Sequence, residues 1–195
     1  MMFGFEAARK LVKEYEFKNV LDIGSGSRND MGSASRYFES FGKEVTRQDI
    51  NPDYDPDILG DFNQIAIPDQ YDCIWCSHVL EHQLNVHDFL VKLYHTCKTD
   101  GVVAITVPPL KHEIVGGHVT LWNGGLLLYN MILAGFDCSK ASLAEYDYNI
   151  SVIVKKQRAE LPDLKYDAGD ILSLQRFFPL PFGDGFDGRL TKINW

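Results

Sequence analysis

Residues 20–26, Val-Leu-Asp-Ile-Gly-Ser-Gly, carry an apolar strand straight into a turn with glycine at positions 24 and 26. Neither glycine has a Cβ, so the backbone there can adopt unusual dihedral angles and approach a ligand closely. A second strand over residues 43–49 ends on Asp49, about one strand–helix–strand unit later. This order confines the chain to a doubly wound α/β sheet, whose ligands bind at the carboxyl ends of the strands. An acid at the end of the second strand can accept both hydroxyls of a ribose, so the pair reads as a site for an adenosine cofactor. Arg28 stands where the dinucleotide fingerprint has its third glycine.

The rest of the chain continues the alternation. Phe5, Ala8, Leu11, Val12 and Tyr15 recur at helical spacing over residues 5–16. A first crossover helix is predicted over 33–41, with Tyr37, Phe38 and Phe41 on one face and Gly42 as its stop. A short strand at 57–59, a buried strand at 71–77, a helix at 88–97 and a strand at 101–107 follow. Beyond a polar, glycine-containing loop at 110–123 come an apolar helix at 124–134, a strand with a turn within 137–148 and a strand at 150–155. Parallel strands joined by helices imply right-handed crossovers.

At these residues the chain resembles the class I methyltransferases that use S-adenosylmethionine, in the small-molecule branch with a Leu-Glu-His motif. The resemblance spans roughly residues 17–155, and its motifs are Leu21-Asp-x-Gly-x-Gly26, Asp49, Gly60-Asp-Phe62, Val79-Leu-Glu-His82 and the turn before Val102. It implies a mostly parallel seven-stranded sheet with a C-terminal antiparallel pair, in a three-layer αβα sandwich. It also implies S-adenosylmethionine as cofactor and an N-terminal helix flanking the cofactor or substrate mouth. The cofactor-binding residues carried over are Asp22, Gly24, Ser25, Gly26, Asp49, Ile50, Asp61, Phe62, Ser77 and His78. Asp22 would take the cofactor's amino group, Asp49 the ribose, and Asp61 with Phe62 or Ile50 the adenine, while Ser77 and His78 would line the methionine end. Residues 27–35 depart from the family pattern, being longer than its usual tight glycine turn.

At 195 residues and 45% hydrophobic content, one domain over 1–156 is expected, with an aromatic, Pro- and Gly-rich extension at 157–195 packed on it. That extension is too apolar to be disordered and either packs on the core or covers substrate or a second subunit. The net charge of −8 argues against nucleic acid as partner. Nothing resembles a signal peptide or a membrane span of about 18 apolar residues, so the expected protein is soluble and cytoplasmic, with a homodimer compatible. Cys73, Cys76, Cys97 and Cys138 read as core thiols, since the one Cys-x-x-Cys lies in an apolar strand.

Methyl transfer from a sulfonium gains most from in-line placement, and a general base helps when an alcohol must lose its proton. The candidate bases are His118 and then His112, on the loop after the fifth strand, with Glu113 to orient an imidazole. His78-x-x-x-His82 with His87 nearby raises a metal site, and the sequence expectation is none: no carboxylate falls at ligand spacing, and Glu81 reads as a helix-start charge. The acceptor expected is a small molecule, with a sugar or related metabolite foremost. A nicotinamide-dependent oxidoreductase and a non-catalytic binding module are the competing readings.

Overall fold

The apolar runs pair into one sheet of eight strands in the computed structural model, which describes residues 3–30 and 32–195. In chain order these are β1 (Asn19–Ile23), β2 (Glu44–Asp49), β3 (Ile58–Leu59), β4 (Tyr71–Ser77), β5 (Cys97–Val107), β6 (Ser142–Tyr146), β7 (Asn149–Lys155) and β8 (Lys192–Ile193). Their spatial order is β3-β2-β1-β4-β5-β7-β6-β8. Strands β1 to β5 are parallel, and β7, β6 and β8 each join antiparallel. The seven expected strands are present, and β8 is an addition. It covers the outer edge of β6, whose backbone groups would otherwise stay unpaired: Leu143 faces Ile193, and Glu145 N–H donates to Thr191 O at 2.9 Å.

The helices are α1 (Phe5–Glu14), α2 (Ala34–Ser40), α3 (Val86–Thr96), α4 (Gly124–Leu133) and α5 (Asp170–Leu174). Along β4 the side chains alternate between faces. Cys73 and Trp75 pack with Ala7, Ala8, Leu11 of α1 and Phe38 of α2. Ile74 and Cys76 pack with Phe89, Leu90, Leu93 of α3 and Leu127, Leu128, Met131 of α4. This is the three-layer αβα arrangement, and burial of each large apolar side chain contributes about 1.5–3 kcal/mol. All four cysteines are buried and free, and burial pushes the Cys97 thiol up to about 12.

Most element boundaries shift by one or two residues from expectation, and two differences are larger in consequence. Strand β5 begins at Cys97 rather than residue 101, because Cys97 already pairs with Tyr71; the register then shifts before Val102 pairs with Cys73, across a stretch in which Asp100 takes a left-handed φ of 61°. Phe41 lies just past the end of α2 and is 52% exposed, so only Phe38 of the predicted aromatic face is buried.

The C-terminal segment crosses the start of α4. Leu174, Phe177 and Phe178 are buried in the core, and Phe182 and Phe186 pack on Phe178 with ring centroids 5.0 and 5.4 Å away. Gly125 N–H donates to Gly188 O at 2.8 Å, and a Cβ on Gly125 would lie 2.6 Å from the Gly188 Cα. Trp195 reaches the opposite face and packs against Tyr146.

Candidate active site

The carboxyl ends of β1, β2, β4 and β5 meet at one edge, and the glycine turn organises it. Gly24 has φ +66°, and a Cβ there would lie 2.3 Å from the Val79 Cγ2, so a side chain is excluded twice over. Gly24 and Ser25 N–H donate to Gln48 O at 2.9 and 3.0 Å, tying the turn to β2. Asp49 Oδ2 accepts from Gly26 N–H at 2.8 Å, and its Oδ1 accepts from Asn51 N–H at 2.9 Å. The Asp49 carboxylate therefore braces the turn, and each oxygen keeps a lone pair for a further donor.

Arg47, two residues before Asp49, was not singled out in the sequence, yet it is 1% exposed. Its guanidinium donates to Gly26 O, Tyr54 O and Asp55 O, each at 2.8 Å, and so staples the glycine turn to the loop after β2. A charged residue inside a strand, on the same face as Asp49 by the two-residue alternation, was the available signal.

Asp22 lies at the floor of a cleft of about 150 Å³, also lined by Gly24, Ser25, Gly26, Trp75 and Ser77. Ser35 Oγ donates to Asp22 Oδ2 at 2.5 Å. Burial pushes the Asp22 carboxyl from 3.8 up to about 7, while the Ser35 hydrogen bond and the Arg47 charge pull the other way. Ser77 Oγ is buried and has no hydrogen-bond partner among the described residues. A cleft with a buried carboxyl, an unpartnered hydroxyl and glycine backbone suits an amino-acid end carrying an ammonium group. The long segment after Gly26 forms the cleft's far wall through Ser27, Asp30, Gly32 and Ser33.

The remaining sequence candidates divide. Ile50 is 67% exposed at the end of β2, open to a flat ligand. Phe62 is 4% exposed, and its ring packs on Phe89 at 5.2 Å, within the core. Asp61 holds its own turn, accepting from Asn63 N–H at 2.9 Å and Gln64 Nε2 at 3.0 Å. His78 adopts φ +56°, its ring packs 4.4 Å from that of Phe3, and its Nε2 lies 3.1 Å from Asn149 Oδ1. Phe3 also lines a groove of about 810 Å³ with Phe5, Tyr146, Tyr148 and Asn149. Gly4 N–H donates to Asn149 Oδ1 at 3.0 Å and Ala7 N–H to Tyr146 Oη at 3.2 Å, which fixes the start of α1 beside this groove.

The loop after β5 folds onto the turn after β4, since the two strands are neighbours. Val119 and Thr120 N–H both donate to Glu81 O, at 2.9 and 3.2 Å. His118 is thereby brought to Glu81 and His82, with one ligand atom from each of the three within 4.8 Å of the others. This corrects one expectation, since a carboxylate does fall within reach of the histidines; Glu81 stands in the first turn of a short helix over Leu80–His82, as expected, and is fully buried there. His112 lies exposed on the same loop, outside this cluster.

A family model described as a methyltransferase domain matches residues 4–140. The chain belongs to this family, the class I S-adenosylmethionine-dependent methyltransferases. Membership carries the activity class, methyl transfer, and removes the nicotinamide oxidoreductase reading. No curated protein matches the chain by sequence. Among solved structures, it resembles a Burkholderia thailandensis 1,6-didemethyltoxoflavin-N1-methyltransferase with bound 1,6-didemethyltoxoflavin and S-adenosylhomocysteine. That match has 15% identity and a TM-score of 0.62, and covers 78% of this chain and 77% of that one. A SAM-dependent methyltransferase from Archaeoglobus fulgidus matches at 16% identity and a TM-score of 0.63, over 78% of this chain and 94% of that one. Human N-acetylserotonin methyltransferase in complex with SAM matches at 18% and 0.59, over 76% of this chain and 51% of that one.

Proposed function

We propose that this methyltransferase transfers the methyl group of S-adenosylmethionine to an oxygen or nitrogen of a small, flat acceptor. The observation that carries the cofactor half is the Asp22 cleft: a buried carboxyl raised to about 7 faces a glycine turn and an unpartnered Ser77 hydroxyl. Asp22 would hold the methionine ammonium, and Gly24, Ser25 and Gly26 would pass under the sugar. Asp49 would take the ribose hydroxyls on its free lone pairs, while Ile50 and the backbone at Asp61 and Phe62 would flank the adenine. Ser77 and His78 would border the methionine end. When bound, the cofactor supplies an electrophilic methyl on a sulfonium.

The acceptor half rests on the groove at Phe3, Phe5, Tyr146 and Tyr148, whose rings suit a flat apolar face. Such a face favours a heteroaromatic ring over the sugar expected from sequence, and the solved relatives act on a didemethyltoxoflavin and on N-acetylserotonin. Phe3 borders both the cleft and the groove, so a ligand in each would meet beside it. Placement then supplies most of the acceleration. His118 is favoured over His112 as the side chain acting on the acceptor, because it is held against buried Glu81 and His82.

We read residues 157–195 as part of the same domain, from the burial of Phe177 and Phe178 in its core. Four free buried thiols suit a reducing compartment, which supports the cytoplasm. Among the described residues no helix is long and apolar enough to cross a membrane. The net charge of −8 supports a small-molecule acceptor over nucleic acid. The test is methyl transfer from labelled S-adenosylmethionine across a panel of hydroxylated and amino heteroaromatics and sugars. Turnover of ring acceptors supports the reading; cofactor binding without turnover on any acceptor favours a non-catalytic module.

A further inference from the structure

Glu81 is 0% exposed, and neither of its carboxylate oxygens has a hydrogen-bond partner among the described residues. A carboxylate buried without donors is costly unless a cation meets it. Three imidazoles surround it instead. His78 Nδ1 lies 3.2 Å and His82 Nε2 3.9 Å from Glu81 Oε1, and His118 completes a set of three ligand atoms within 4.8 Å of one another.

The tautomer of His82 follows from its neighbour. Its Nδ1 lies 2.7 Å from Gly117 O, and a carbonyl only accepts, so Nδ1 carries a proton, and in the neutral ring Nε2 presents its lone pair towards Glu81. An imidazole fixed in this way through its second nitrogen is the arrangement that orients metal-binding histidines. The contact needs Gly117 itself: its φ is +81°, and a Cβ there would lie 3.1 Å from His82 Nδ1. The backbone bonds from Val119 and Thr120 to Glu81 O hold the same loop in place, with the His118 ring 5.0 Å from that of His82 at 83°.

We propose that Glu81, His82 and His118 bind a divalent transition-metal cation of the zinc type. Two imidazole nitrogens and one carboxylate oxygen match a three-ligand site that leaves a further position open. Bonds of about 2.0–2.1 Å put tetrahedral ligand atoms roughly 3.3 Å apart, closer than the 3.9 Å between His82 Nε2 and Glu81 Oε1, so binding draws the ligands together. His78 packs on Phe3 and thus links the cluster to the cofactor cleft and the groove. The open position would take water.

The proposal is tested on the full, metal-stripped chain by calorimetric titration with Zn²⁺ and by the visible absorption of bound Co²⁺, without cofactor or acceptor. One saturable site per chain is expected, weakened at least about tenfold in Glu81→Gln and in His118→Ala, and unchanged in His112→Ala. Since His118 lies on a loop, its variant keeps the test valid should Glu81→Gln unfold. S-adenosylmethionine titration of the same proteins separates this outcome from the methyltransferase reading. Absence of a saturable site, or equal binding in all four proteins, overturns the proposal and leaves Glu81 paired to His78 by a proton.

Discussion

The end of β1 and the turn after β4 each bury a carboxyl group at the same edge of the sheet, but they surround it differently. Asp22 opens onto a cleft, accepts a hydrogen bond from the Ser35 hydroxyl and feels the Arg47 charge. Glu81 is closed off, with imidazoles about it and no hydrogen bond among the described residues. An acid at a cleft can wait for a cation that arrives and leaves with a ligand. A closed acid flanked by imidazoles calls for a resident one.

The largest effect that would break this comparison concerns Asp22 and stability. Its folded pKa of about 7 lies above the ordinary 3.8, so the fold favours the neutral form. No penalty exists below pH 3.8, where both states are protonated. The penalty grows as pH rises through this window and is complete above about 7, where it reaches on the order of 4 kcal/mol. Asp22→Asn should therefore gain stability over the parent chain as pH rises from 4 to 8, in denaturant titrations without ligand. A difference flat with pH would show Asp22 to be as well solvated as an exposed acid.

Gly24→Ala should cost about 3 kcal/mol in the same titrations, from a left-handed φ and the overlap with Val79. Gly26 shares the positive φ but has open space around it, so Gly26→Ala should cost about 1 kcal/mol. Equal costs would mean that packing against Val79 is not what demands the glycine. The smallest effect is expected at Phe62: Phe62→Leu should lower stability by about 1 kcal/mol through lost packing on Phe89. Its S-adenosylmethionine affinity, read by calorimetry, should stay within about twofold. A tenfold loss would return the ring to the adenine site.

Legibility followed the same division. Strand periodicity located β1, β2 and β4, the last over residues 71–77 as observed, and strand–turn–helix order was enough for the parallel sheet. The placing of Asp22, Gly24 and Asp49 around one turn was readable because a glycine turn after a strand is local in sequence. Arg47 and Ser35 escaped because their partners are distant in sequence, Gly26, Tyr54 and Asp55 for Arg47 and Asp22 for Ser35, although the charge inside β2 was a signal for Arg47. The proximity of Glu81 to His118 was missed because it depends on residues 117–120, which arrive only because β4 and β5 are adjacent. Two loops following neighbouring strands at one sheet edge must touch, and that topological step would have joined His118 to Glu81. Strand β8 had no signal at all, being two residues placed by the edge they cover.

Calorimetric titration of S-adenosylmethionine into the full chain and into Asp22→Asn tests the central claim most directly, in two buffers of different protonation enthalpy at pH 7. Binding should release about half a proton as the ammonium lowers the Asp22 pKa, and the variant should bind roughly 10- to 100-fold more weakly without that release. Equal affinity and equal proton release in both proteins would contradict the assignment of Asp22 as the residue that holds the cofactor.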